Sequence, residues 1–313
     1  MDEAVPVDSS RAKVARDGAG DDIAVDGVGL HTGERARVVL RRAPGPVRIR
    51  ARGVEATLAE LRVVASARAT TVEPRGGGFR VCTVEHALAA LAGLGVHDGV
   101  TLDVDGPEMP LLDGGAALWC EALRSLSLVP SAPRLRVTRA ATYDVGPSRY
   151  VFDPGPRPPG EGPRGGALHS RERGASGADR GPSVSVSVRV DFGLSFVATT
   201  AAWHGDPADF AARIAPARTF ALAREVDELA RRGLARHVDP ACVLVLSSDA
   251  ILHAGRPPAP DEPARHKLLD LLGDFHLHGG PAVGRVHAVR PGHAANVRAF
   301  RRALDAGVLA PVG

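Results

Sequence analysis

The sequence predicts an α+β protein built twice. Three observations predict it. First, 313 residues with 44% hydrophobic and 24% charged side chains suffice for two cores of roughly 150 residues each. Second, runs that alternate apolar and polar side chains recur in both halves, as strands do. Third, each half also carries two or more stretches of helical period. Ser131-Ala132-Pro133 reads as a linker, so the expected units are residues 21–131 and 132–313, after a mobile tail at 1–20.

In the first half, residues 36–42 (ARVVLRR) and 47–50 (VRIR) alternate around Pro44-Gly45-Pro46 and predict an antiparallel pair of strands. Val54–Leu61 reads as a short helical piece, and Ala69–Val72 as a strand. Residues 82–95 (CTVEHALAALAGLG) form a helix pattern with Thr83 as N-cap, Glu85 in the first turn and Gly93 or Gly95 at its end. Residues 99–106 alternate as a strand, and Asp113 caps a second helix over 113–129.

The second half opens with strand character at 134–145. Residues 154–183 are so rich in Pro, Gly, Ser and Arg that they cannot bury a core, and a disordered insertion is expected there. Alternation returns over 184–192 and 196–203. A helix is predicted at 221–234, a strand at 242–246, a helix from about Pro263 to His278, a strand at Ala282–Val289, and a last helix at His293–Ala306 after Pro291-Gly292.

The net charge is +3, from 39 basic and 36 acidic residues, too balanced for a nucleic-acid binder. No run approaches the roughly 20 apolar residues of a membrane span. The polar, acidic start fits no secretory signal, and a cytoplasmic protein is expected. Three cysteines without CxxC spacing (Cys82, Cys120, Cys242) suggest neither disulfides nor a thiolate metal site. Only Lys13 and Lys267 among the basic residues are lysine, so each stands against a strong bias toward arginine.

Five clusters could carry chemistry. Residues 27–33 (GVGLHTG) mimic a dinucleotide fingerprint, but a strand pattern follows where a phosphate-binding helix should begin. His31 then either lines a site or sits in a turn. Glu85-His86 pairs a carboxylate with an imidazole, as a metal-dependent hydrolase needs, though most such dipeptides are surface residues. In RHKLLDLLGD (265–274), helical spacing puts Leu268, Leu269, Leu271, Leu272 and Phe275 on one face and His266, Asp270 and Asp274 on the other, with Lys267 beside them. The i, i+4 spacing lets His266 and Asp270 hold one cation, whereas an isolated HxxxD is usually a solvated polar face. His293 follows a Pro-Gly turn at a helix start, a place for a charged imidazole or a cap. Thr219-Phe220 sets a hydroxyl beside a ring, in a site or as an N-cap.

Taken together and in order, GVGLHTG, TVEHALAALAGLGVHD, PEMPLLDGGAA, APARTFAL, RHKLLDLLGD and PGHAAN resemble the zinc-dependent UDP-3-O-acyl-N-acetylglucosamine deacetylase family of lipid A biosynthesis. The resemblance runs from about residue 23 to 304, apart from 154–183, and near residue 113 the family pattern is DGSAAPF where this chain has DGGAALW. It implies two domains of similar topology, each a sheet layered with helices, with the active site in the cleft between them. His86, His266 and Asp270 would hold Zn2+, and Glu85 would be the general base toward the attacking water. His293 would stabilise the oxyanion and protonate the leaving amine, Asp274 would orient His293, and Thr219 would help bind the oxyanion. Lys267 and Phe220 would contact substrate. A UDP-sugar lipid substrate implies a basic cleft wall, an apolar passage and transient contact with a membrane surface. A paralogue acting on another N-acetylated sugar, or a non-catalytic sugar-nucleotide- or metal-binding protein, are the alternatives.

Overall fold

The computed structural model describes residues 12–18, 20–64, 68–155, 183–226 and 238–312. The segment expected to be an insertion falls almost wholly outside these. The fold is mixed α+β and is indeed built twice. The first sheet runs in the order β1 (Lys13–Arg16), β2 (Ile23–Val28), β3 (Arg35–Pro46), β8 (Asp98–Asp105), β4 (Arg48–Ala51), β5 (Val54–Thr57). The second runs β10 (Ala141–Val145), β11 (Ser148–Asp153), β17 (Ala282–Val289), β12 (Val184–Arg189), β13 (Thr200–Trp203). Off this path, β9 (Leu135–Val137) pairs with one end of β17 and with β18 (Leu309–Pro311).

The duplication is visible in the ladders. With β1, β9 and β18 set aside, four strands of each sheet and one inserted strand correspond: the first two pairings are antiparallel, the strand contributed last in sequence is inserted, its next neighbour is parallel, and the final pairing is antiparallel. The inserted strand has a helix before and after it in each case. These are α1 (Glu85–Gly93) and α2 (Ala117–Ser125) around β8, and α4 (Glu262–His276) and α5 (His293–Asp305) around β17. A short α3 (Pro207–Asp209) continues as a wider turn through Ile214.

Each repeat carries one addition between its fourth strand and the helix that follows. In the first it is a hairpin of β6 (Leu61–Val64) and β7 (Thr71–Pro74). In the second it is a small sheet of β14 (Thr219–Leu222), β15 (Val243–Leu246) and β16 (Ile251–Leu252).

Helix α1 packs against α4, which also lies on β12 and β13, while α2 covers β1 and β2. All nine residues of α1 are buried, and in α4 only Lys267 escapes burial. A helix apolar or small on every side, such as EHALAALAG, belongs inside a protein. Gly95, with φ +69°, closes α1 in the left-handed conformation glycine permits.

Several expectations are corrected. Lys13–Arg16 are not tail but an edge strand on β2. Strands β3 and β4 do not pair, because β8, with Val100, Thr101 and Leu102 all buried, takes the place between them. The antiparallel partner of β4 is β5, so Val54–Thr57 is a strand and only Leu58–Glu60 makes a helical turn. Arg52 and Gly53 both have positive φ and form the tight two-residue hairpin that twists with its strands. Thr83 is no N-cap: its φ is +57° and its hydroxyl donates to Glu108 at 2.6 Å. Helix α2 starts at Ala117 rather than at Asp113. Residues 221–222, expected as helix, extend β14; the remainder of that predicted helix beyond residue 226 lies outside the described residues.

Candidate active site

Helices α1 and α4 meet where the two repeats face each other, and their contact builds the site. Gly273 permits it: a Cβ there would lie 2.1 Å from the Glu85 carbonyl oxygen. The close approach brings Glu85 and His86, in the first turn of α1, against His266, Asp270 and Asp274 on α4. The polar face of α4 is therefore not solvated, since His266 and Asp270 are each 3% exposed and Asp274 is fully buried.

His86, His266 and Asp270 place one ligand atom each within 4.8 Å of the others. Nε2 of His266 lies 3.4 Å and Nε2 of His86 3.9 Å from Asp270 Oδ1. The donor set fits a divalent cation. Asp270 Oδ1 is buried with no hydrogen-bond partner among the described residues, and an unpaired buried carboxylate oxygen is costly. His266 Nδ1 lies 2.9 Å from the Ala217 carbonyl oxygen, which accepts a hydrogen bond from Nδ1–H and leaves the Nε2 lone pair aimed inward. Burial holds both imidazoles in the neutral form a metal needs: it pushes His86 down to about 3, with help from His266, and lowers His266 as well. Burial alone would raise Asp270, but Lys267 and cationic His293 outweigh it and keep the carboxyl well below the usual range. Lys267 Nζ donates to Asp270 Oδ2 at 2.7 Å.

Two proton-handling groups flank this cluster. Burial raises Glu85 to about 7. For His293, burial opposes the charge, but Asp274, Asp270 and Glu85 outweigh it and raise the imidazole to about 9. His293 Nδ1 donates to Asp274 Oδ2 at 3.0 Å, and Nε2 points at Glu85 Oε1 across 3.8 Å.

Of the nine residues singled out in the sequence, Glu85, His86, Thr219, Phe220, His266, Lys267, Asp270 and His293 line one cleft of about 840 Å3, and Asp274 lies behind His293. Thr219 and Phe220 reach it from β14 rather than from a helix cap. The Phe220 ring packs edge-on against His266, with centroids 6.0 Å apart. His31 lines the cleft from its turn. Beyond Phe220 the wall is apolar, from Ala221, Val238, Val243, Val245 and Leu252. A basic wall is less evident: Arg68 and Lys267 reach the cleft, but Arg68 pairs with Glu225 and Lys267 with Asp270.

Four functional neighbours escaped the sequence reading. Glu108 is fully buried and accepts the N–H groups of His31 and Thr32 and the hydroxyls of Thr32 and Thr83. It thus ties the 27–33 turn to the segment that delivers Glu85. Asn296 Nδ2 donates to Asp274 Oδ2 at 2.7 Å, and the Tyr150 hydroxyl donates to Asn296 Oδ1 at 2.6 Å. Thr70 touches both Glu85 and Asp274. Of these, Asn296 alone carried a usable signal, one helical turn after His293.

A duplicated α+β fold whose central helices converge a two-histidine, one-carboxylate group, a raised carboxyl and a cationic imidazole defines a hydrolase of the metalloenzyme class. The chain belongs to the UDP-3-O-acyl N-acetylglycosamine deacetylase family, whose sequence model matches residues 19–156 and 170–305. It is similar to the UDP-3-O-acyl-N-acetylglucosamine deacetylase of Myxococcus xanthus (strain DK1622), 34% identical over 296 residues, 90% of this chain and 83% of the relative. The enzyme of that name from Phenylobacterium zucineum (strain HLK1) is 34% identical over 288 residues, 90% of this chain and 89% of the relative. That from Thermosynechococcus vestitus is 33% identical over 278 residues, 85% and 86% respectively.

Proposed function

We propose that this protein hydrolyses the 2-acetamido group of a UDP-3-O-acyl-N-acetylglucosamine, releasing acetate and the free amine, as an early step of lipid A biosynthesis in the cytoplasm. The convergence of Glu85 and His293 on the face of the His86–His266–Asp270 group carries this reading, and family membership supports it. Residues 21–131 and 132–313, the former extended by β1, are taken as the two domains that share the cleft.

The cation is taken as Zn2+, which two imidazoles and one carboxylate suit; when bound it polarises the amide carbonyl and makes water more acidic. Glu85, with a carboxyl near 7, accepts the proton from the attacking water as the water oxygen bonds to the carbonyl carbon. Thr219 donates its hydroxyl to the oxygen that gains charge, and cationic His293 stabilises the same charge. An amine leaves poorly as an anion, so His293, oriented by Asp274, gives a proton to the nitrogen as the C–N bond breaks. Lys267 and Phe220 contact the substrate. The apolar wall of β14, β15 and β16 suits the acyl chain. No helix among the described residues is long and apolar enough to cross a membrane; transient contact with a membrane surface is part of the proposal.

The test is acetate release from the UDP substrate by purified protein, with chelator and after Zn2+ is restored. Release that chelation abolishes and Zn2+ restores is expected. Protein with one equivalent of zinc that leaves this substrate intact, while deacetylating another N-acetyl sugar, would overturn the substrate assignment.

A further inference from the structure

Thr70 stands at the entry to β7, on neither of the helices that carry Glu85 and Asp274, and it is fully buried. Its backbone N–H donates to Glu85 Oε2 at 2.9 Å. Its hydroxyl donates to Asp274 Oδ1 at 2.5 Å and has its oxygen 3.3 Å from His293 Nδ1. One small side chain and its amide therefore touch the carboxyl read as the base, the imidazole read as the proton donor, and the carboxylate that orients that imidazole.

Each contact removes a specific freedom. Pinning Oε2 of Glu85 leaves Oε1 as the oxygen that faces His293 Nε2. Filling Oδ1 of Asp274 leaves Oδ2 for His293 Nδ1 and Asn296 Nδ2, so the carboxylate cannot rotate without losing bonds on both oxygens. The two proton-handling groups sit on different helices from different repeats, and a rigid amide and a β-branched side chain join them directly. In a buried site such a bridge sets geometry that α1, α4 and α5 would otherwise set only through packing.

We propose that Thr70 is a positioning residue shared by both proton-handling groups, fixing Glu85 Oε1 and His293 Nε2 relative to each other. The roles of these groups rest on the function proposed above; the bridge itself does not. A filler role for Thr70 would predict that bulk matters, and a positioning role that the hydroxyl matters. Thr70→Val keeps bulk and removes the hydroxyl, whereas Thr70→Ser does the reverse.

Two readouts decide it. In the zinc enzyme, Thr70→Val should lower kcat by about 10- to 100-fold with KM and zinc content unchanged, since small misplacements of reacting groups cost rates of this order, and Thr70→Ser should stay within about threefold of wild type. In metal-free protein with 15N-labelled histidine, the His293 Nδ1–H resonance, identified by its loss in His293→Gln, should shift or broaden in Thr70→Val and return in Thr70→Ser. If Thr70→Val does not fold, Thr70→Ala takes its place in both measurements. Unchanged kcat and an unchanged resonance in the hydroxyl-less variant would overturn the proposal, as would a loss shared by Thr70→Ser. If wild-type protein releases no acetate, the deacetylase reading fails, and the resonance comparison still decides the bridge.

Discussion

Asp274 accepts a hydrogen bond from the Nδ1–H of His293 at 3.0 Å from within the core, where no solvent competes for it. The imidazole is thereby kept cationic against its own burial, at about 9. Activity that needs this proton should fall as pH rises and the imidazole loses it. Asp274→Asn removes the nearest compensating charge, so the neutral imidazole gains and the alkaline limb of the kcat profile should move to lower pH by about one to two units. An alkaline limb that stays in place would show that His293 is not the group that titrates there.

Metal content separates the ligands from the base. If Asp270 Oδ1 and the two Nε2 atoms are the donors, as proposed, His266→Ala should weaken zinc binding by at least about tenfold, as loss of a ligand or its support does. Glu85 lies beside this set and outside it. Glu85→Gln should keep about one equivalent of zinc and lose about 100-fold or more in kcat, the usual worth of a general base. Zinc analysis of the two purified variants checks both statements, and zinc lost from Glu85→Gln would make Glu85 a ligand instead.

Gly273 is the contact point of α1 and α4, and what its Cβ would meet is backbone, which cannot swing aside. Gly273→Ala should therefore destabilise the fold by about 1–3 kcal/mol, as overpacking does. It should also weaken zinc binding, because the helices that must part carry His86 on one side and His266 with Asp270 on the other. Denaturant unfolding with and without zinc measures both effects. A variant as stable as wild type would mean that the helices separate freely.

What the sequence disclosed follows from periodicity. Helices α4 and α5, strand β17 and the polar stripe of α4 were legible because several turns repeat one pattern. The i, i+4 pair His266 and Asp270 was visible for that reason, and Lys267 because it breaks an arginine-rich composition. Long-range pairings were not legible. Nothing local to residues 36–50 says that β8, which begins only at Asp98, will take the place between β3 and β4. Glu108 and Thr70 look like ordinary polar residues, and only the fold makes them partners of Thr83, Glu85 and Asp274. The Arg52-Gly53 hairpin was hidden because arginine seldom takes a positive φ, whereas the proline-rich stretch nearby looked like the stronger turn.

Away from the site, His97 and His276 lie with ring centroids 5.0 Å apart in the core, with Arg134 and Asp98 as charged neighbours. Burial, reinforced by Arg134, lowers His97 to about 4; burial, reinforced by His97, lowers His276 to about 3. In the unfolded chain both titrate near 6.5, so the unfolded state binds protons first as pH falls. Their neutral forms thus contribute stability that is intact above about 6.5 and lost as pH drops toward 4, at up to about 1.4 kcal/mol per pH unit for each histidine. Below that range the folded state takes up the same protons and the loss levels off. His97→Gln with His276→Gln removes both groups, so the stability difference between wild type and the double variant should grow with pH between 4 and 6.5 and stay constant above 7. Urea unfolding across that range measures it, and a difference independent of pH would mean that neither ring is held neutral by the fold.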